Sequence, residues 1–401
     1  MDNRDKIIIV GTGCALADFL YNGINFKSGG FNRYISKKPG DGGLSPGKLV
    51  FTEELEKYAD KPYVEILSEI TGGRKPDAFN VGGPSLVSLI HASQLLNDGD
   101  YQVKFYGIAG NDEIGKEIFG KVNKTPLNVE NYLLTDRIAT PSTDVFSDPG
   151  YHADQGERAF VNNLGASSEY STEYLDEQFF RADIVCFGGT ALVPHIHDNL
   201  TYLLQEAKRH RCITVVNTVF DFRNEKLNPT RPWPLVNCTG QFKLIDLMIM
   251  DAEEALRISG QPDINKAADF FIRIRVPSFI ITNGGHDLLV WSEGGLFNKI
   301  NLLQMPVAKS VSQRLDAGNN LMGDTTGCGD NFAGGVIASV AWQLKTKAKD
   351  GLDLVEAVSW GIASGGFCCF FIGGTYLEDY PGEKRMKVSK IYKEYRQQLK
   401  V

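Results

Sequence analysis

Seven short aliphatic runs, at 6–10, 103–108, 184–187, 213–217, 247–250, 279–282 and 288–291, alternate along the chain with segments of helical periodicity. The runs are continuously apolar, the pattern of strands buried on both faces. Ile196, Leu200, Leu203, Leu204 and Ala207 form one helical stripe, and Val388, Ile391, Tyr392, Tyr395 and Leu399 form another. The alternation predicts an α/β fold with a mostly parallel sheet flanked by helices. In such a sheet ligands bind beyond the carboxyl ends of the strands. Residues 1–401 are expected to build one unit, since 42% hydrophobic residues suffice for a large core and no repeat divides the chain.

Two stretches break the alternation. Residues 22–47 are rich in Gly, Ser, Lys and Pro, and 128–165 are polar and alternating, with Asp148-Pro149-Gly150 as a turn. Neither carries a helical stripe, so both are expected to form strands or hairpins outside the main sheet.

Chemistry concentrates in Gly323-Asp324-Thr325-Thr326-Gly327-Cys328-Gly329-Asp330-Asn331-Phe332. Phe332, Val336, Val340 and Leu344 follow at helical spacing, so the Gly-Cys-Gly turn falls at a helix N-terminus. Unpaired N–H groups and the positive dipole end favour an anion there, and glycine lets the backbone approach it closely. A carboxylate beside an anion site needs a chemical task. Asp330 reads as a base that takes a proton from a hydroxyl attacking a phosphoryl group.

Other classes lose their main support. A net charge of −7 argues against a nucleic-acid surface. The seven cysteines are scattered with no Cys-x-x-Cys pair, which suggests neither a zinc ribbon nor a disulfide framework. Gly11-Thr12-Gly13 after the first run resembles a dinucleotide turn, but Leu16 stands where a third glycine is required. No Gly-x-Ser-x-Gly elbow or Gly-x-x-x-x-Gly-Lys-Ser/Thr loop occurs. His195 and His197 are expected to face solvent. The longest apolar run, 361–374, is shorter than the roughly 20 residues of a spanning helix, and a cytoplasmic protein is expected.

The string Asp324 to Asp330 resembles the C-terminal signature of the ribokinase-like (PfkB) family of carbohydrate and nucleoside kinases. Residues 11–18 are similar to the start of these kinases, closest to adenosine kinases. Gly82-Gly83 matches their Gly-Gly element, and residues 107–115 match Gly-x-x-Gly-x-Asp-x-x-Gly, with Asp112 in the first helical turn. Gly156-Glu157-Arg158 and Leu164-Gly165-Ala166 resemble the return of a lid hairpin. Asp251 and Glu254 stand at the family's Asn-x-x-Glu, and Thr282-Asn283-Gly284-Gly285 resembles its turn against the nucleotide.

The resemblance implies a ribokinase-like, Rossmann-type three-layer fold with a small β-sheet lid, contributed by segments about 14–50 and 128–166. The nucleotide-binding part would cover about 180–401. It implies ATP and Mg2+, with Asp18, Gly82 and Gly83 on the acceptor. Asp330 would be the general base, and the N–H groups of Gly327, Cys328 and Gly329 the anion hole. Asp251, Glu254, Thr282, Gly284 and Gly285 would serve the nucleotide. It leaves open a K+ ion at Asp324 and Thr326 and a homodimer through the lid. A sugar is the expected acceptor, a nucleoside the alternative, and a non-catalytic sugar-binding regulator a third reading. Four departures stand out: Cys328 for the family's Ala, Val87 and Asp251 for its Asn residues, and an insertion within 309–322.

Overall fold

The computed structural model describes residues 6–38, 40–151, 157–317, 325–346 and 351–400. Its strands are β1 (Ile7–Gly13), β2 (Leu16–Asn22), β3 (Leu49–Phe51), β4 (Ala78–Gly82), β5 (Tyr101–Gly110), β6 (Asn128–Thr135), β7 (Ser142–Asp148), β8 (Glu157–Asn163), β9 (Ile184–Gly188), β10 (Ile213–Asn217), β11 (Leu247–Asp251), β12 (Ser278–Asn283), β13 (His286–Ser292) and β14 (Ile300–Met305). They form two sheets.

The large sheet has the order β14-β13-β12-β11-β10-β9-β1-β5-β6. Pairing is parallel from β12 to β6, and β13 and β14 add an antiparallel edge. Side chains of the central strands alternate between two apolar cores, as the period of two requires. Ile9, Ile184, Cys186, Val215, Leu247, Ile249 and Ile280 enter one core; Val10, Val185, Phe187, Val216, Met248, Met250 and Ile281 enter the other. The first core is closed by the helices Pro84–Leu95, Cys328–Lys345, Leu354–Cys368 and Glu383–Gln398, and the second by Leu200–Arg209, Ala252–Ser259 and Ile264–Arg273. The result is three layers. Its parallel strands end together at one edge, at Gly13, Gly188, Asn217 and Asp251.

The small sheet has the order β3-β8-β7-β2-β4. One face is covered by a third core, in which Tyr21, Phe146 and Val161 meet Leu55, Ile66 and Ile70 of the helices Thr52–Ala59 and Tyr63–Thr71. The other face carries Asp18.

Three expectations are corrected. Residues 128–135 do not lie outside the main sheet: as β6 they form its edge beside β5. Val129 and Tyr132 are buried while Glu130 and Leu133 are exposed; the two buried residues lie three apart because one extra residue shifts the register between the Lys104–Asn128 and Tyr106–Asn131 pairs. Between β2 and β3 the stretch 22–47 contributes only an Ile35–Leu44 bridge and the short helix Gly29–Asn32 among the described residues. Its flanks, not its middle, supply the strands. Finally, His195 is exposed, but His197 is buried, with Nδ1 3.0 Å from Thr190 Oγ1 and Nε2 3.3 Å from Asp221 Oδ2. In the helix Pro194–Asp198 two residues two apart point about 200° away from each other, so one turns inward.

Candidate functional site

The helix Cys328–Lys345 begins at Gly327, whose φ is 75° and where a Cβ would collide with Gly374. Only glycine fits both demands. The tip is fixed from behind by Asn331, which is fully buried. Its Nδ2 donates to Gly327 O at 2.9 Å and to Gly374 O at 2.7 Å. Oδ1 is therefore the acceptor, 2.6 Å from His91 Nδ1, which assigns the imidazole proton to Nδ1. Burial pushes the His91 pKa well down, so the ring stays neutral. Sequence reasoning missed His91 because its partner lies 240 residues away.

On the outward side, nothing stands within 4 Å of where a Cβ would sit on Gly329, which is exposed. The Cys328 N–H reaches Thr325 O at a long 3.3 Å, which leaves Gly329 as the more open donor. Asp330, in the first turn, keeps part of its surface open, yet its carboxyl sits deep enough that burial alone pushes its pKa up to about 7.

The structure brings Asp330 and Asp18 together around Cys14, at the turn between β1 and β2. The Cys14 thiol is pushed up first by burial and then by the Asp18 and Asp330 carboxylates. Gly82 lies directly against Asp18, since a Cβ there would run into Oδ2. Gly83, with φ 93°, sits under the backbone of Cys14 and Ala15, and Cys14 O accepts from Ser85 N at the start of the next helix. Asp18, Gly82, Gly83 and Asp330 thus share one corner. Val87, whose N–H donates to Gly83 O at 3.0 Å, is buried and packed on Gly374.

Across the small sheet, strand register sets Asn80, Asp18, Thr143, Asn162 and Phe51 in one row. Asp18, Thr143 and Asn162 are all buried, and Asn162 Nδ2 donates to Thr143 Oγ1 at 2.8 Å. Asn162 Oδ1 has no hydrogen-bond partner among the described residues. The sequence offered no signal for this row, because its members are neighbours only through pairing. Arg158 was quoted only as part of the hairpin motif. Its guanidinium leaves the small sheet and donates to Thr326 Oγ1 at 2.6 Å and Thr325 Oγ1 at 2.8 Å.

At the sheet edge, Asp251 caps the helix Ala252–Ser259 in a reciprocal box with Glu254. Glu254 Oε2 accepts from Asp251 N at 2.9 Å and Thr218 Oγ1 at 2.6 Å. Burial raises the Glu254 pKa, and the charges of Asp251 and Asp330 raise it further, so this carboxyl lies within electrostatic reach of Asp330. Thr282 pairs with Asp251 across β11 and β12, and the exposed turn Gly284-Gly285 follows. Both oxygens of Thr326 are engaged, the hydroxyl by Arg158 and the carbonyl by Cys368 Sγ at 3.3 Å. Asp324 lies outside the described residues. Asp112 is an N-cap, accepting from Gly115 N at 2.7 Å, a structural role.

A three-layer α/β molecule with a second small sheet, and a glycine-flanked helix tip beside Asp330, define a ribokinase-like fold. Residues 77–378 match the model of the pfkB family of carbohydrate kinases, and the chain belongs to that family, within the ribokinase superfamily of phosphotransferases. Its fold is shared by solved structures. The adenosine kinase from Schistosoma mansoni in complex with 2-fluoroadenosine has a TM-score of 0.68 and 16% identity, over 92% of this chain and 96% of that one. The adenosine kinase from Sinorhizobium meliloti gives 0.67 and 17%, over 96% and 99%. A putative ribokinase II from E. coli gives 0.61 and 15%, over 98% and 99%. At such identities the likeness is one of fold. Among the described residues no helix is long and apolar enough to cross a membrane.

Proposed function

We propose that this protein transfers the γ-phosphoryl group of ATP to a hydroxymethyl group of a sugar. The observation that carries the reading is that the Asp18 and Asp330 carboxylates both act on the Cys14 thiol, which puts an acceptor-binding carboxylate and a base within electrostatic reach of one group. The sugar hydroxyls donate to Asp18, against Gly82, and to the row that continues through Thr143 and Asn162. Asp330 accepts the proton of the attacking hydroxyl as its oxygen bonds to the γ-phosphorus and ADP leaves. A pKa near 7 suits a base working near neutrality. The N–H groups of Gly327, Cys328 and Gly329 hold the charge on the phosphoryl oxygens, and Arg158 stands beside them.

Magnesium would supply charge neutralisation between the phosphates, and Glu254 with Asp251 is the acidic pair placed to meet its hydrated shell. Among the described residues no group of three or more His, Cys, Asp or Glu is arranged to hold a metal by itself. Thr282, Gly284 and Gly285 face the nucleotide, and the small sheet acts as the lid that excludes water.

A nucleoside acceptor is the second reading. Phe51 ends the polar row and meets the Phe222 ring edge-on at 6.4 Å, and Phe222 in turn packs on Phe220 at 4.5 Å. Such a group can stack a base. ADP release with ATP and a panel of sugars and nucleosides separates the readings: sugar turnover supports the first, and nucleoside-only turnover selects the second. Tight sugar binding without any turnover would overturn both in favour of a regulator. Asp330→Asn is expected to lower kcat by about 10²–10⁴-fold, and a near-normal rate in the folded variant rules out the base.

A further inference from the structure

The residue that distinguishes this anion cradle, Cys328, faces a second thiol. Cys328 is the first residue of the helix Cys328–Lys345, and Cys369 closes the helix Leu354–Cys368. Their Sγ atoms are 3.6 Å apart, and both residues are partly exposed. The spacing is set by the packing of two helices rather than by a loop. Gly335 admits Ser364, Gly361 admits Phe332 and Val336, and Gly365 lies against Cys328 O. The adjacent Cys368 is differently employed: it is buried, 3.3 Å from Thr326 O and 3.4 Å from Asn331 Nδ2.

We infer that Cys328 and Cys369 are a reversible modification site, a thiol pair that a diffusible disulfide oxidises to a cystine, disabling the anion cradle. The site follows from the geometry alone; the effect on turnover rests on the kinase reading above. Cys328, partly exposed at the helix tip, is the attacking sulfur. It displaces one thiol from the oxidant and forms a mixed disulfide. The Cys369 thiolate then attacks the Cys328 sulfur and releases the second thiol. The balance is two protein thiols and one small disulfide giving one protein cystine and two small thiols.

A cystine bond is ~2.05 Å long, so the sulfurs must close by about 1.5 Å from 3.6 Å. Cys328 carries one of the cradle's N–H groups. Cys369 leads into the segment whose Gly374 seats Gly327 and accepts from Asn331 Nδ2. Closure therefore pulls on both sides of the tip. A misplacement of about 1 Å in a catalytic constellation costs on the order of 10²-fold in rate.

The test treats the full chain with oxidised glutathione and digests it without reduction. Expected is a linked pair of peptides carrying Cys328 and Cys369, two hydrogens lighter than their sum. With it comes a fall of about 10²-fold in turnover of the best acceptor, reversed by dithiothreitol. Cys369→Ser, outside the site, is expected to keep resting turnover and, after the same treatment, to carry one glutathione on Cys328 with no linked peptides. In the parent protein glutathione adducts without a link, or a link that persists in Cys369→Ser, would overturn the inference. Absence of turnover in the reduced protein would instead defeat the kinase reading, and the linked peptide would still decide the thiol pair.

Discussion

Asp330 is a carboxylate held where water reaches it poorly, and that has two measurable consequences. An unfolded aspartate titrates near 3.8, whereas the folded one is pushed up to about 7. Between those values the folded chain holds a proton that the unfolded chain has released, so stability falls as pH rises through the window. Asp330→Asn removes this dependence. Its melting temperature should exceed that of the parent protein at pH 8, and the difference should shrink toward pH 4. Equal melting temperatures at both pH values would show that the carboxyl is not held in a poorly solvated place. In the parent protein kcat/KM should fall below about pH 7, where the base becomes protonated in the free enzyme.

The helix tip separates two glycines that the sequence presents as equivalent. Gly327 is structural: with φ 75° and Gly374 against it, Gly327→Ala should lose about 1–2 kcal/mol from the backbone alone, plus the collision. Gly329 is open, inside the first turn, with nothing within 4 Å of the added methyl. Gly329→Ala should therefore melt at or above the parent temperature while its turnover collapses, because the methyl occupies the anion's place. Thermal melts paired with ADP-release rates check both. A stable, active Gly329→Ala would move the cradle elsewhere. Much of this element was legible beforehand: the stripe Phe332, Val336, Val340 and the signature together locate the tip. The clamp of Asn331 and His91 was not, since helix Pro84–Leu95, which packs directly on this helix, contributes it from 240 residues away in the chain.

For the whole molecule, the two sheets have different supports. The central strands of the large sheet are buried on both faces, whereas the small sheet is covered on one face by its own helices and carries the row Asp18, Thr143 and Asn162 on the other. Arg158 ties it to the signature loop. If the small sheet closes over the acceptor, amide exchange in β7 and β8 should slow when a turned-over acceptor and a non-hydrolysable ATP analogue bind together. Exchange in β9 and β10 should stay unchanged at its already slow rate. Equal slowing in both sheets would show a general stabilisation without closure.

All seven aliphatic runs proved to be strands of the large sheet, because continuous burial writes itself into composition. Residues 128–135 belong to the large sheet and not to the small one, a difference the sequence does not carry because an edge strand and a lid strand are both half-polar and differ only in their neighbours. Local sequence therefore determined the layers and the helix tip with Asp330 in its first turn, each a property of residues adjacent in the chain. Tertiary structure alone decided the row Asp18–Thr143–Asn162, the reach of Arg158 and the pairing of Cys328 with Cys369. Such contacts depend on strand register and helix packing, which the free energy of the whole core sets and no short segment encodes.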